Sequence, residues 1–268
     1  MKRFLPGLCC LLFASAITFI GVPAGASSLS PSVAAAIASV PASVFNKVGT
    51  TPSVSPPLHV HHQPGLDLGT TKPTVLYMGA DYCPYCAAER WALALALSRF
   101  GEFSDLGSTS SSPQDIYPST PSLSFYRSSY TSNYIDFTSV EMYTNKLNKA
   151  GNGYQVLQVP TKPELKVQKI YDSPKYFPGV STTSPPIPFI DIDNRYLLLG
   201  SSFSPQLLHG LTDTDIATSL STPTTQASLD IVATANYIDA AICLADADAP
   251  KSVCNSSALK AATKSLGK

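Results

Sequence analysis

The chain has 268 residues, a formal net charge of zero, and charged side chains at only 13% of positions. That length suits one large domain or two small ones, and a 44% hydrophobic content supplies a sizeable core. No basic stripe is present, which argues against nucleic acid as a partner. Ser, Thr, Pro and Tyr fill the surface role usually taken by Lys and Glu, as suits an exported protein.

Lys2 and Arg3 precede an almost wholly apolar stretch over residues 4–22. Ala24-Gly25-Ala26 then sets small residues at both cleavage-determining positions, ahead of Ser27. These three parts make residues 1–26 a secretory signal peptide and predict a secreted or extracytoplasmic protein. The alternative is an uncleaved membrane anchor, because the apolar stretch is nearly long enough to span. No second stretch reads as long enough. Cys9 and Cys10 lie inside this segment, and Gly7-Leu8-Cys9 is a poor lipoprotein box. Cys83, Cys86, Cys243 and Cys254 remain, an even number that reads as paired thiols in an exported chain. Three pairings are open, of which Cys83–Cys86 with Cys243–Cys254 is the simplest.

Residues 27–69 read as a Ser/Pro-rich N-terminal segment, with short helical pieces at 33–40 and 44–48 broken at Pro41. Residues 51–64 read as a loop. It contains His59, His61 and His62, which have no Cys or carboxylate cluster near them and so read as solvated side chains rather than metal ligands. "TVLYMGA", 74–80, is an apolar run bounded by Pro and Gly, the pattern of a buried strand. "CAAERWALALALSRFG", 86–101, predicts a well-buried helix with Arg99 in its last turn and Gly101 as its stop. Residues 104–121 read as a loop. Residues 122–143 are rich in aromatic and β-branched side chains and predict one or two strands or a hairpin, with the tyrosines packing across strands. A short strand is expected within 153–160 and a helix over 164–173. A hairpin is expected over 187–203, turning at Asp193-Asn194. Thr212 or Asp213 caps a helix over 214–220 that Pro223 breaks, and a second helix covers 224–243. Cys243 and Cys254 frame a short loop, and residues 258–268 form a tail.

The stretch "DYCPYC", 81–86, puts two cysteines two residues apart between the strand and the long helix. Three readings are open: a redox pair, half of a zinc site, or a structural bridge. Zinc needs two further soft ligands, and Cys243 and Cys254 are too widely spaced for a zinc-type pair. A redox pair fits the context. Helix N-terminal N–H groups and the helix dipole stabilise a thiolate there, lowering its pKa. Cys83 is then the attacking thiolate, with its sulfur outward, and Cys86 the buried resolving thiol. Pro84 suits the first turn, where its missing N–H costs nothing. No metal and no cofactor are expected.

With "VLYMGADYCPYCAAERW" and "IPFIDI" in place, the chain resembles the thioredoxin-like superfamily. Pro84-Tyr85 is the dipeptide typical of glutaredoxins. "GADYCPYCAAERWALALALSRFG" looks closer to a bacterial and archaeal family of thioredoxin-like domains of unknown function, over roughly residues 70–257. The resemblance implies an α/β class with a thioredoxin-like fold: a central mixed sheet flanked by helices, with an extended insertion over about 104–180 between the CxxC helix and a cis-proline strand. It places Pro188 at the cis-proline position facing the CxxC, with the backbone of Ile187 offered to substrate. It implies exchange of a Cys83–Cys86 disulfide with extracytoplasmic protein thiols, recycled by a membrane redox partner. Where the superfamily's small reductases often carry a buried acid, six residues before the first cysteine, this chain has Tyr77. That proton-transfer help is missing. Glu89, one turn beyond Cys86, is placed to substitute, against the plainer reading of a surface or Arg90-paired glutamate. Trp91 reads as core, and Cys243–Cys254 as a structural disulfide. The rival from another class is a non-catalytic secreted binding protein on the same scaffold, with two structural disulfides. A peroxidase reading is weaker, because no Thr/Arg arrangement precedes Cys83.

Overall fold

The computed structural model describes residues 25–179, 186–246 and 249–267. All but the last two positions of the expected signal peptide lie outside the described residues. In chain order come β1 (Ser27–Ser28), α1 (Pro31–Ala38), α2 (Ala42–Val48), β2 (Leu58–His59), β3 (Thr74–Gly79) and α3 (Pro84–Leu97). Next are β4 (Gly101–Ser104), β5 (Gly107–Ser110), β6 (Pro121–Ser124), β7 (Ser129–Ser132), β8 (Asp136–Glu141), β9 (Tyr143–Leu147) and β10 (Tyr154–Val156). The rest comprises α4 (Lys162–Tyr171), β11 (Phe189–Ile192), β12 (Tyr196–Leu199), a 3-10 turn at Pro205–Leu208, α5 (Asp213–Ser219), α6 (Gln226–Ala245), α7 (Lys251–Cys254) and α8 (Ser257–Ser265).

The chain is mixed α/β, with a central mixed sheet flanked by helices. The sheet order is β2-β12-β11-β3-β8, with β3 and β8 parallel and the other pairs antiparallel. Every residue of β3 is buried, as a continuous apolar run requires when both faces are covered. Strand alternation sends Val75 and Tyr77 into a core shared with Trp91 of α3 and Ile238 of α6. Leu76 and Met78 face a second core with Val60, Leu66, Phe189, Leu197 and Tyr171 of α4.

Several expectations shift at their boundaries. α3 ends at Leu97, not Gly101, and Gly101 instead begins β4, where a Cβ would strike the Thr131 carbonyl. Arg99 is therefore outside the helix; it pairs with Asp239 of α6 and lies 4.0 Å over the Phe45 ring centroid. The 104–121 loop contains β5, whose polar "GSTS" carries no apolar alternation; it pairs because β1 and β6 supply backbone partners on both sides. Likewise β2 lies in the stretch read as loop, paired with β12. The expected hairpin is formed by β11 and β12, with Asp193 and Asn194 at φ 54° and 56°, the left-handed region those residues tolerate.

The two ends of the chain are packed, not loose. α1 rests on α5 and α3, and α2 on α6 and α8. Asn236 of α6 donates to the carbonyls of Phe45 (3.0 Å) and Gly49 (2.8 Å). The expected tail is largely α8, with Leu259 and Ala262 buried. Among the described residues, α6 is long and apolar enough to cross a membrane, contrary to the composition-based expectation, but most of it is buried inside the core. The Cys243–Cys254 disulfide joins its last turn to α7.

Candidate functional site

β3 delivers the chain to Ala80, and Asp81-Tyr82 then turn it into α3. Cys83 is the helix N-cap (φ −81°, ψ 120°), and Pro84 follows in the first turn. The Cys83 sulfur accepts the Cys86 N–H at 3.2 Å, a capping interaction made by sulfur in place of the usual oxygen. Both cysteines are free thiols. Cys86 is fully enclosed. Cys83 is 5% exposed, so its sulfur is nearly covered rather than outward as the sequence suggested.

The two thiols titrate in opposite directions. The Cys83 pKa is lowered by a hydrogen bond from the Cys86 thiol, then by the N–H of Cys86, the Arg90 charge and the N–H of Tyr85, against the opposing effect of burial. Burial pushes the Cys86 thiol well up, reinforced by that same bond to Cys83. The pair thus holds one proton on Cys86 and concentrates thiolate character on Cys83. The Ile187 carbonyl oxygen sits 3.6 Å from the Cys83 sulfur, where it accepts from the protonated thiol. The Ile187–Pro188 peptide is cis, and Pro188 leads directly into β11.

Beneath the pair lies a buried charge cluster. Arg90, one turn beyond Cys86, donates Nε and Nη2 to the two carboxylate oxygens of Glu141 at 2.8 and 2.6 Å, and Nη1 to the Ser122 hydroxyl at 3.0 Å. Asp81 Oδ1 is 3.9 Å from Arg90 Nη2. Burial pushes the Asp81 carboxyl up to about 6, offset by Arg90 and reinforced by Glu141. Planar, bidentate pairing suits a guanidinium held in a dry site. Arg90 is therefore not the partner of Glu89. Glu89 is itself fully buried and accepts from the Ser202 N–H (2.7 Å) and hydroxyl (3.2 Å); desolvation raises its pKa to about 7. Both of its hydrogen-bond partners belong to Ser202 rather than to a sulfur.

Side chains and backbone from the segment between α3 and α4 pack around the CxxC turn. The Asp81 N–H donates to the Tyr143 carbonyl (2.9 Å), and the Ser112 N–H to the Tyr82 carbonyl (2.8 Å). Tyr82 stacks on Tyr154 at 4.1 Å, while Tyr85 is 39% exposed and meets Tyr117 edge-on at 6.0 Å. His59, His61 and His62 contact one another as rings, with centroids 4.1 and 6.1 Å apart in sequence. Among the described residues no three His, Cys, Asp or Glu side chains stand together as a metal site.

The sequence matches the family described as Domain of unknown function (DUF929) over residues 63–244. The chain belongs to the DUF929 family. No curated protein and no solved structure matches it. The DUF929 match takes in β3, the CxxC helix, β4 to β10, α4 and the Ile187–Pro188 peptide. α1, α2, α7 and α8 fall outside it. Sequence reading singled out neither Arg90 nor its partners as parts of the site. Arg90 was legible in principle, four positions after Cys86 and so on the same helix face. Glu141 was not, because only the parallel pairing of β3 and β8 carries it there.

Proposed function

We propose that this DUF929 protein is an exported thiol–disulfide oxidoreductase of thioredoxin-like fold, exchanging a Cys83–Cys86 disulfide with extracytoplasmic protein thiols. The observation that carries this reading is the Cys83 sulfur at the N-cap of α3, accepting the Cys86 N–H at 3.2 Å with the Ile187 carbonyl 3.6 Å away. In the reducing direction the Cys83 thiolate attacks one sulfur of a substrate disulfide. That bond breaks, the other substrate sulfur leaves with the electron pair and takes a proton, and a mixed disulfide forms. Cys86, deprotonated, then attacks Cys83, forming the intramolecular disulfide and releasing the second substrate thiol. The reverse sequence oxidises a dithiol. Ile187 offers its backbone to an extended segment of the substrate beside Cys83. The apolar stretch at residues 4–22 supports export, and a membrane redox partner would recycle the pair.

The near-enclosure of Cys83 favours a second reading, a secreted binding protein whose CxxC is structural. Trapping separates the two. The Cys86→Ala variant of an oxidoreductase accumulates mixed disulfides through Cys83, and wild-type Cys83 alkylates before Cys86 near neutral pH. Absence of trapped species, with a bridge that resists mild reductant, overturns the enzyme reading.

A further inference from the structure

Tyr77 is fully buried, yet its hydroxyl has no hydrogen-bond partner among the described residues. Buried polar groups are nearly always paired, so an idle one calls for a reason. Strand alternation puts Tyr77 on the face of β3 beneath α3. Its ring runs along the strand toward the CxxC end: a Cβ added to Gly79 would fall on the Tyr77 hydroxyl oxygen. The missing side chain at Gly79, the last residue of β3, is what lets the hydroxyl reach that end of the sheet. There the Arg90 guanidinium carbon lies 5.6 Å from the Tyr77 ring centroid. Burial holds the Tyr77 pKa well above 10; Arg90 opposes this, while negative charge on Cys86, Glu141 or Cys83 pushes it further up. Tyr77 therefore stays protonated at neutral pH and is available as a donor.

We propose that the Tyr77 hydroxyl is the hydrogen-bond donor that stabilises the Cys86 thiolate while it resolves a mixed disulfide. This rests on the oxidoreductase reading. In the dithiol state the Cys86 proton is shared with Cys83, and Tyr77 has no anion to bind. Once Cys83 is joined to a substrate sulfur, that acceptor is gone, and Cys86 must ionise in a fully enclosed site. Tyr77 then donates to it. Cys86 attacks the Cys83 sulfur, the Cys83–substrate bond breaks, and the departing substrate sulfur takes the electron pair and the proton released by Cys86. The protein pair is oxidised, and the substrate disulfide is reduced to two thiols.

The test uses an aromatic disulfide whose released thiolate absorbs visible light, mixed with the reduced full chain. The first equivalent reports attack by Cys83, the second resolution by Cys86. Tyr77→Phe removes only the oxygen. The second phase should slow about ten- to a hundredfold at pH 7, the loss expected of a hydrogen bond to a charged group, and its pH profile should move upward. The first phase should be unchanged. The thermal midpoint should hold or rise, because an unpaired buried hydroxyl is gone. Gly79→Ala, which displaces the hydroxyl while keeping it, should also slow the second phase. A second phase at the wild-type rate in Tyr77→Phe overturns the proposal, as does equal slowing of both phases with a lower midpoint, which would mark Tyr77 as structural. A wild-type chain that releases no thiolate overturns the oxidoreductase reading itself, and this assignment with it.

Discussion

Glu141→Gln and Arg90→Met should destabilise the chain alike and move the Cys83 titration in opposite directions. Glu141 takes two hydrogen bonds from Arg90, at 2.8 and 2.6 Å, and one from the Phe125 N–H at 3.2 Å. Neither side chain of the pair is exposed. Gln keeps the size but leaves a buried guanidinium with Asp81, 3.9 Å away, as its remaining ion-pair partner. Removing one partner of a buried pair costs about 3–5 kcal/mol. At roughly 2–4 °C per kcal/mol for a chain of this size, the thermal midpoint should fall by about 6–20 °C. Met at position 90 leaves the buried Glu141 carboxylate with the Phe125 N–H alone, while the Ser122 hydroxyl keeps its bond to the Leu123 carbonyl, and the loss is of the same order. The thiol separates the two variants. Arg90 helps hold Cys83 ionised, so Arg90→Met should raise its titration and slow its alkylation at neutral pH. Glu141→Gln removes the negative charge that offsets Arg90, and should extend Cys83 alkylation to lower pH. The assay is the pH dependence of iodoacetamide labelling, read by mass spectrometry of the peptide carrying Cys83. Shifts of the same sign in both variants, or none in either, would refute the electrostatic account of the site.

Glu89 and Asp191 are buried carboxyls whose pKa is pushed up to about 7, chiefly by desolvation. The folded chain binds their protons more tightly than the unfolded one. The stability they give is thus complete below about pH 4 and lost as pH rises through about 7. The thermal midpoint should decline between pH 5 and 7.5, Glu89→Gln should flatten that decline, and a rising midpoint would contradict it. Replacing Cys243 and Cys254 with Ser opens a loop spanning 11 positions and should cost about 3 kcal/mol in urea unfolding, with Cys83 labelling unchanged. Asn236→Ala takes the side-chain donor from the Gly49 carbonyl and leaves the Phe45 carbonyl with the Gly49 N–H alone; a loss of about 1–3 kcal/mol is expected, with proteolytic opening beginning at α2.

Much of this protein was legible one segment at a time. The six-residue apolar run at β3, the CxxC followed by Pro84 and an Ala/Leu-rich helix, and the Asp193-Asn194 turn are local patterns. Each is enforced by the backbone and its nearest neighbours, so sequence alone placed them. It also singled out Ile187 and Pro188 as neighbours of Cys83, through the resemblance. That contact aside, it could not supply what is set by partners far along the chain. β5 is polar on both sides and becomes a strand only because β1 and β6 bond to it. The N-terminal segment and the expected tail became core because α6 offers an apolar flank to both, and Asn236 to the first. Glu89 looked like a surface residue because helical periodicity says nothing about a loop such as that of Ser202 folding over it. The charge beneath the thiols and the near-closure of Cys83 were likewise decided by tertiary structure. A thiol's reactivity depends on the charges and solvent around it, and here those are assembled from strands dozens of residues away.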